Sequence, residues 1–106
     1  MILVITTVSD ADAAEALATR LVEKKLAACV QIMPEMRSIY AWQGKIFNEF
    51  ERLLLIKTVS EKYSELEEFI RANHAYETPE IVAFNAENVS KTYETWLVDY
   101  LTKDFV

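Results

Sequence analysis

The segment spanning residues 37–58 constrains the fold of this chain more than any other. It consists of two runs rich in aromatic and β-branched residues, the composition that suits a pleated strand. Between them stands Gly44, the only glycine in 106 residues, and tight hairpin turns need a residue that tolerates a positive φ. The segment is therefore predicted to form a β-hairpin, whose arms are too long for so small a domain to cover by itself.

The other segments alternate between strand and helix patterns. We predict further strands at residues 1–8, 27–33 and 78–86. We also predict a first helix for which Ser9 and Asp10 offer the N-cap, a second capped by Ser60 and a third capped by either Asn88 or Ser90. Pro34 is expected to stop or bend the second strand, since proline cannot donate to a ladder, and Pro79 stands at the start of the last strand, where proline is tolerated. The order β-α-β-β-α-β with an extra C-terminal helix predicts an α+β ferredoxin-like sandwich with a four-stranded antiparallel sheet and a long hairpin.

Composition limits the classes of function. A chain of 106 residues, 52% of them hydrophobic, is expected to form one domain over residues 1–106. A formal net charge of −6 argues against nucleic acid or an anionic membrane as partner. A single cysteine, no leader pattern after Met1 and no apolar run of membrane-spanning length predict a cytoplasmic location.

The predicted strands carry apolar residues on both faces. The run at residues 53–56 reads Leu-Leu-Leu-Ile, and residues 2–5 and 81–84 are equally apolar. A sheet with helices on one side only is expected to alternate apolar and polar residues, so self-association is the favoured explanation. The alternative is that the last helix covers the second face with its stripe of Tyr93, Trp96, Leu97, Tyr100 and Leu101.

Few residues offer chemistry. His74, the only histidine, precedes Glu77 and Glu80 and is a candidate ligand for a divalent cation, or else a helix C-terminal histidine favoured by the helix dipole. Cys29 is a candidate thiolate ligand, although a small buried hydrophobe is the favoured interpretation. Paired metal motifs, glycine-rich phosphate loops and a recognisable nucleophile–base pair are absent from the sequence, so an enzyme is not predicted.

Four segments are similar to those of the divalent-cation tolerance proteins called CutA. They read LAACVQI (residues 26–32), SIYAWQGKI (38–46), LLIKT (54–58) and HAYETPEI (74–81). The resemblance implies a ferredoxin-like homotrimer with hairpins packed between subunits, tolerance of divalent metals, notably copper, and a likeness to the trimeric PII signalling proteins. Gln31 and Ala75 replace the family's usual asparagine and proline. In copper-binding members the ligands resemble a cysteine and a His-His pair, whose positions are Thr6 and Asn73-His74 here.

The expected function is that of a trimer in divalent-cation tolerance which binds copper weakly. Alternatives are a PII-like signalling or small-molecule-binding trimer that uses clefts between subunits, and a purely structural trimer. No cofactor is obligatory, and copper and zinc are the candidate metals. The candidate metal ligands are His74, Cys29, Glu77 and Glu80. The candidate interface or cleft residues are Tyr40, Trp42, Gly44, Lys45, Glu51, Lys57, Tyr76, Pro79 and Trp96.

Two expectations concern particular side chains. In the strand order 4-1-3-2, Cys29 and His74 are expected at the same end of the sheet but far apart across it, so a metal site would draw ligands from neighbouring subunits. His74→Ala is then expected to abolish saturable copper binding and to leave the trimer intact. Replacing Tyr40 or Trp42 with alanine is expected to harm assembly more than the monomer fold.

Overall fold

A five-stranded antiparallel sheet organises the molecule in the computed structural model, which describes residues 1–103. The last three residues of the predicted domain, 104–106, lie outside this range. The strands are β1 (Ile2–Val8), β2 (Cys29–Ile32), β3 (Met36–Trp42), β4 (Lys45–Thr58) and β5 (Val82–Asn85). The helices are α1 (Ala11–Glu23), α2 (Tyr63–Asn73) and α3 (Lys91–Thr102).

The sheet has the order β2-β4-β1-β5, and β3 pairs with the far half of β4. This is the predicted ferredoxin-like arrangement, with one difference in strand count. The first hairpin arm divides into β2 and β3 on either side of Pro34, because proline has no backbone N–H to donate. β4 is continuous and pairs with both pieces, so the two arms still form one hairpin.

The hairpin turn confirms the prediction made from the single glycine. Gln43 and Gly44 have φ values of 50° and 78°, and Trp42 pairs with Lys45 across the two-residue loop. Two successive positive φ values give the turn a twist that matches the twist of the flanking strands. The hairpin therefore extends without splaying, and the molecule measures 46 × 26 × 24 Å along its principal axes.

The core lies between one face of the sheet and helices α1 and α2. Alternate residues of β1 and β4, such as Val4 and Ile56, are fully buried there against Leu21 and Leu66. The periodicity of both helices predicts these contacts. Asp10 caps α1 as predicted, because its Oδ1 accepts a hydrogen bond of 2.8 Å from the N–H of Ala13.

Two local predictions are wrong, and a third, the cap of the last helix, is right in its position only. Ser60 does not cap α2 but begins a short 3₁₀ turn, Ser60–Lys62, that leads into the helix. Ser90 occupies the N-cap position of α3 without a side-chain hydrogen bond to the helix. The last strand begins at Val82 rather than at residue 78, so Pro79 lies in the preceding loop, where its missing N–H costs no ladder bond.

The second face of the sheet is only partly covered within the chain. α3 packs Leu97 and Leu101 against Ala28 at one end of this face, while Trp96 stays 48% exposed. The last helix thus covers one end, as the alternative explanation required, and leaves much of the apolar surface open. Val82 and Phe84 of β5 are exposed on this face, whereas Ile39, Ile46 and Phe50 are exposed on the opposite face of the hairpin.

Candidate functional site

A cleft of about 630 Å³ opens where the base of the hairpin, the end of β1 and the loop after α2 meet. Aromatic rings and carboxylates dominate its walls. The lining residues are Thr7, Ser38, Ile39, Tyr40, Trp42, Phe47, Glu51, Tyr76, Glu77, Thr78 and Glu80. It lies on the second face of the sheet, away from the helices α1 and α2, and beyond the end that α3 covers.

Strand register brings the hairpin residues of the cleft together. Tyr40 pairs with Phe47, and Trp42 lies two residues further along β3, so all three side chains share one face. The rings of Tyr40 and Phe47 are stacked, with centroids 5.5 Å apart and planes inclined at 21°. Alternation along a strand thus predicts this aromatic wall once the turn position is known.

His74 fixes the opposite wall. β5 pairs with β1 only from Ile2 to Ile5, which leaves the carbonyl of Thr7 free of the ladder. Nε2 of His74 lies 2.6 Å from that carbonyl oxygen, and Nδ1 lies 3.0 Å from the backbone N of Tyr76. Since the carbonyl only accepts and the N–H only donates, the proton of the neutral ring is on Nε2. Both ring nitrogens are therefore occupied.

Glu51 is a buried carboxylate at the inner end of the cleft. Its residue exposure is 6%, and its Oε2 accepts a hydrogen bond of 2.7 Å from the hydroxyl of Tyr76. Burial, together with the hydrogen bond to Glu51, raises the pKa of the Tyr76 phenol above its ordinary value. Within residues 1–103 no lysine, arginine or histidine forms an ion pair with Glu51.

A second tyrosine–carboxylate pair lies nearer the hairpin tip. The hydroxyl of Tyr40 donates a hydrogen bond to Glu49, the residue two positions before Glu51 on the same strand. This bond is the main reason why the pKa of the Tyr40 phenol rises to about 12. Both phenols thus stay protonated and able to donate over the whole physiological range of pH.

The candidate metal ligands do not come together. Cys29 pairs with Lys57, which pairs with Leu3 near the start of β1, whereas His74 contacts Thr7 near its end. Leu3 and Thr7 lie four residues apart on β1, which is about 13 Å along the strand. The expectation that Cys29 and His74 share one end of the sheet is wrong. β2 runs parallel to β1 and β5 antiparallel to it, so these two strands begin at opposite ends.

The remaining candidates divide between the cleft and other surfaces. Cys29 is half-buried rather than fully buried. No group of three histidine, cysteine, aspartate or glutamate side chains in the described chain is arranged to hold a metal ion. Of the predicted interface or cleft residues, Tyr40, Trp42, Glu51 and Tyr76 line the cleft, as do Glu77 and Glu80 from the metal set.

Five of the predicted interface or cleft residues lie outside the cleft lining. Gly44 and Lys45 form the hairpin tip. Lys57 lies under α3 with its Nζ 5.6 Å from the ring centroid of Tyr93, and Trp96 is on α3 itself. Pro79 is in the loop between two lining residues. Sequence reasoning missed the lining residues Thr7, Ser38, Ile39, Phe47 and Thr78, of which Phe47 could be found from its position opposite Tyr40.

These features define a class of protein, a ferredoxin-like α+β sandwich with an extended hairpin and an acidic, aromatic cleft at its base. The model of the CutA1 divalent ion tolerance protein family matches residues 2–100. The chain belongs to this family, which confirms the resemblance carried by the four sequence segments. Within residues 1–103, no helix has both the length and the apolar character needed to cross a membrane.

Individual relatives agree with this assignment. The divalent-cation tolerance protein CutA of Thermus thermophilus is 43% identical over 94 residues, which cover 89% of this chain and 91% of the relative. The chloroplastic protein CutA of Arabidopsis thaliana is 42% identical over 96 residues, and this chain spans 53% of its length. A solved structure described as the periplasmic divalent cation tolerance protein CutA of Archaeoglobus fulgidus matches with a TM-score of 0.91, 37% identity and coverage of 95% and 99% of the two chains.

Proposed function

We propose that the chain acts in divalent-cation tolerance as a homotrimer whose hairpins pack between subunits. The observation that carries the proposal is the apolar surface on both faces of the hairpin. Ile39, Ile46 and Phe50 are 69%, 75% and 51% exposed on one face, and Tyr40 and Trp42 are exposed on the other. Exposed apolar surface of this extent marks a contact with another molecule, and a second copy of the chain is the simplest partner.

A contact with a single neighbour would not cover all of the exposed apolar surface, whereas a closed ring of subunits would. The hairpin extends beyond the helices, so its two faces can be covered only by neighbours on both sides. The open sheet face, with Val82 and Phe84 exposed on β5, needs cover as well. Cyclic assembly of three copies buries a hairpin and a sheet face of each subunit and leaves no unpartnered surface to extend a fibre.

Sedimentation equilibrium tests the assembly. The parent protein is expected at about three times the chain mass of 12.2 kDa. Ile46→Lys places a charge in the proposed contact and should dissociate the trimer, while Glu65→Lys, on the exposed side of α2, should not. Trp42→Ala and Tyr40→Ala should lower the melting temperature of the trimer, since truncating a buried interface aromatic commonly costs a few kcal/mol. A well-folded parent monomer at micromolar concentration would rule the trimer out.

We propose that any metal binding is weak and uses ligands from more than one subunit. The support is the separation of Cys29 from His74 and the use of both His74 ring nitrogens in hydrogen bonds. Ligation through Nδ1 would require the loop to give up the bond from Tyr76. Calorimetry with copper and with zinc tests this, and loss of saturable copper binding in His74→Ala is still the expected result. Equal binding by the variant would place the metal elsewhere.

A second candidate function is small-molecule binding in the cleft, in the manner of a signalling protein. The cleft itself favours it, because a concave site with aromatic walls and a few polar groups is the usual form of a ligand pocket. Titration with nucleotides as well as with the metals separates the two functions, and no binding in any titration would favour a purely structural trimer.

Catalysis is not proposed, since Cys29 and His74 are too far apart to act as nucleophile and base. The proposed location is the cytoplasm.

A further inference from the structure

We propose that the cleft binds a small organic cation, an ammonium ion that contacts the aromatic wall and the carboxylate of Glu51. This inference rests on the second candidate function, small-molecule binding in the cleft, and names the chemical class of the ligand. It requires that the cleft stays accessible in the proposed trimer, in which neighbouring subunits would contact its wall at Tyr40 and Trp42. Three independent features of the cleft support it: the charge of its walls, the burial of Glu51 and the arrangement of the rings.

The walls of the cleft carry negative charge only. Glu51, Glu77 and Glu80 line it, and no lysine, arginine or histidine is among the lining residues of the described chain. A cavity lined by one sign of charge concentrates ions of the opposite sign and repels those of the same sign. A phosphate, nucleotide or carboxylate ligand would meet three carboxylates and no counter-charge, so anionic ligands are disfavoured.

Glu51 lacks a counter-charge of its own. It is more than nine-tenths buried and lines the cavity, where its one hydrogen bond within residues 1–103 comes from the neutral hydroxyl of Tyr76. A buried carboxylate is ordinarily paired with a cation, because losing its hydration is costly. Surface glutamates such as Glu65 have no such requirement, since water solvates them. An ammonium group in the cleft would supply the missing partner.

The aromatic wall selects an organic cation over a metal ion. The faces of tyrosine, tryptophan and phenylalanine rings carry partial negative charge and attract ammonium groups, most strongly where water is excluded. Tyr40, Trp42 and Phe47 present such rings on one side of the cleft, and Tyr76 presents another on the opposite side. Rings do not coordinate a hard metal ion, and no three metal-ligating side chains of the described chain converge. A large, weakly hydrated cation fits both features.

Choline and its uncharged carbon isostere, dimethylbutanol, form a matched pair of probes. Isothermal calorimetry with the full chain should show saturable binding of choline and none of dimethylbutanol. Glu51→Gln keeps an acceptor for the Tyr76 hydroxyl but removes the charge, so it should weaken choline binding at least about tenfold, the size of one lost charged contact. Glu65→Gln, which removes an exposed charge from α2, should leave the affinity unchanged.

A second pair of variants keeps the test decisive if Glu51→Gln does not fold. Glu77→Gln and Glu80→Gln remove cleft charges from the loop before β5, outside regular secondary structure, and each should also weaken choline. Absence of choline binding, equal binding by dimethylbutanol, or unchanged affinity in all three cleft variants would overturn the proposal. The proposal would be overturned equally if a neighbouring subunit fills the cleft and thereby excludes choline.

Sedimentation of the same samples separates this inference from the proposed assembly. A trimer that fails to bind choline leaves the assembly standing and refutes the inference. A monomer that binds choline with loss of affinity in Glu51→Gln supports the inference and refutes the assembly. Binding of a nucleotide in place of choline would support a small-molecule function while refuting the chemical class proposed here.

Discussion

Tyr76→Phe is the substitution that tests the structure of the cleft most directly. It removes the hydroxyl that donates to Glu51 across 2.7 Å and leaves the ring and the backbone bond to His74 in place. A hydrogen bond to a charged group contributes roughly 1.5–3 kcal/mol to stability. Because the cleft admits water, which can replace the lost donor in part, the lower end of that range, about 1.5 kcal/mol, is the expected loss in the free energy of unfolding.

Urea unfolding of parent and variant gives this difference. Both proteins must be compared at the same chain concentration, because assembly of a folded oligomer makes apparent stability depend on concentration. Tyr93→Phe is the matched control, since within the described chain no hydrogen bond involves the Tyr93 hydroxyl, and it should change stability by no more than about 0.5 kcal/mol.

A double-mutant cycle with Glu51→Gln isolates the interaction between the two side chains. With an uncharged acceptor at position 51, Tyr76→Phe should cost only about 0.5–1 kcal/mol, so the cycle should give a coupling energy of about 0.5–1 kcal/mol. Equal costs in both backgrounds, or a cost for Tyr76→Phe no larger than that for Tyr93→Phe, would refute the reasoning that the hydroxyl stabilises a buried charge.

Three further results are expected. The contribution of Tyr40 and Tyr76 to stability should be constant below about pH 10 and decrease above it. Phenols in the unfolded chain ionise near 10.0, whereas the fold raises the pKa of Tyr40 to about 12 and also raises that of Tyr76. Coincident tyrosinate absorbance titrations of the native and the urea-unfolded protein would contradict this. Gly44→Ala should lower the free energy of unfolding by about 1 kcal/mol, as measured by thermal unfolding. The cause is the backbone strain of a φ of +78° and not a steric clash, since no atom lies within 4 Å of an added Cβ. An unchanged melting temperature would count against a strained turn. Leu66→Ala should lower the free energy of unfolding in urea by about 2–5 kcal/mol, since Leu66 is fully buried. A smaller loss would mean that neighbouring core side chains move in and fill the cavity left by the substitution.

Local patterns were sufficient to predict most of the fold. The lone Gly44 located the hairpin turn, and the periodicity of α1 and α2 identified the faces that pack on the sheet. These features depend on interactions between residues close in sequence, or on burial that repeats with the period of the element. The order of elements and the handedness of the crossovers then leave few topologies, and the ferredoxin-like one is observed.

Predictions failed where a distant backbone decides the local structure. Thr78 and Pro79 have the composition of a strand start, but the hydrogen bond between His74 and the Thr7 carbonyl holds the loop beside β1, and the ladder begins only at Val82. The prediction that Cys29 and His74 share one end of the sheet is wrong because β2 and β5, which follow from these residues, run in opposite directions. Direction follows from two separate crossovers, which no local pattern records.

Glu51 shows what signal the cleft leaves in the sequence. Residues 47, 49, 51, 53 and 55 of β4 share one face by alternation, and two of them, Glu49 and Glu51, interrupt the apolar pattern. Of these two, Glu51 is the buried one. An acid at such a position is rarely tolerated in a buried surface without a partner or a function. The sequence places Glu51 among the candidates, but only the fold reveals its burial, because the covering residue, Tyr76, arrives from a loop that His74 anchors. The histidine therefore serves the cleft as a structural anchor, and the chemistry of the site is that of a buried carboxylate among aromatic rings.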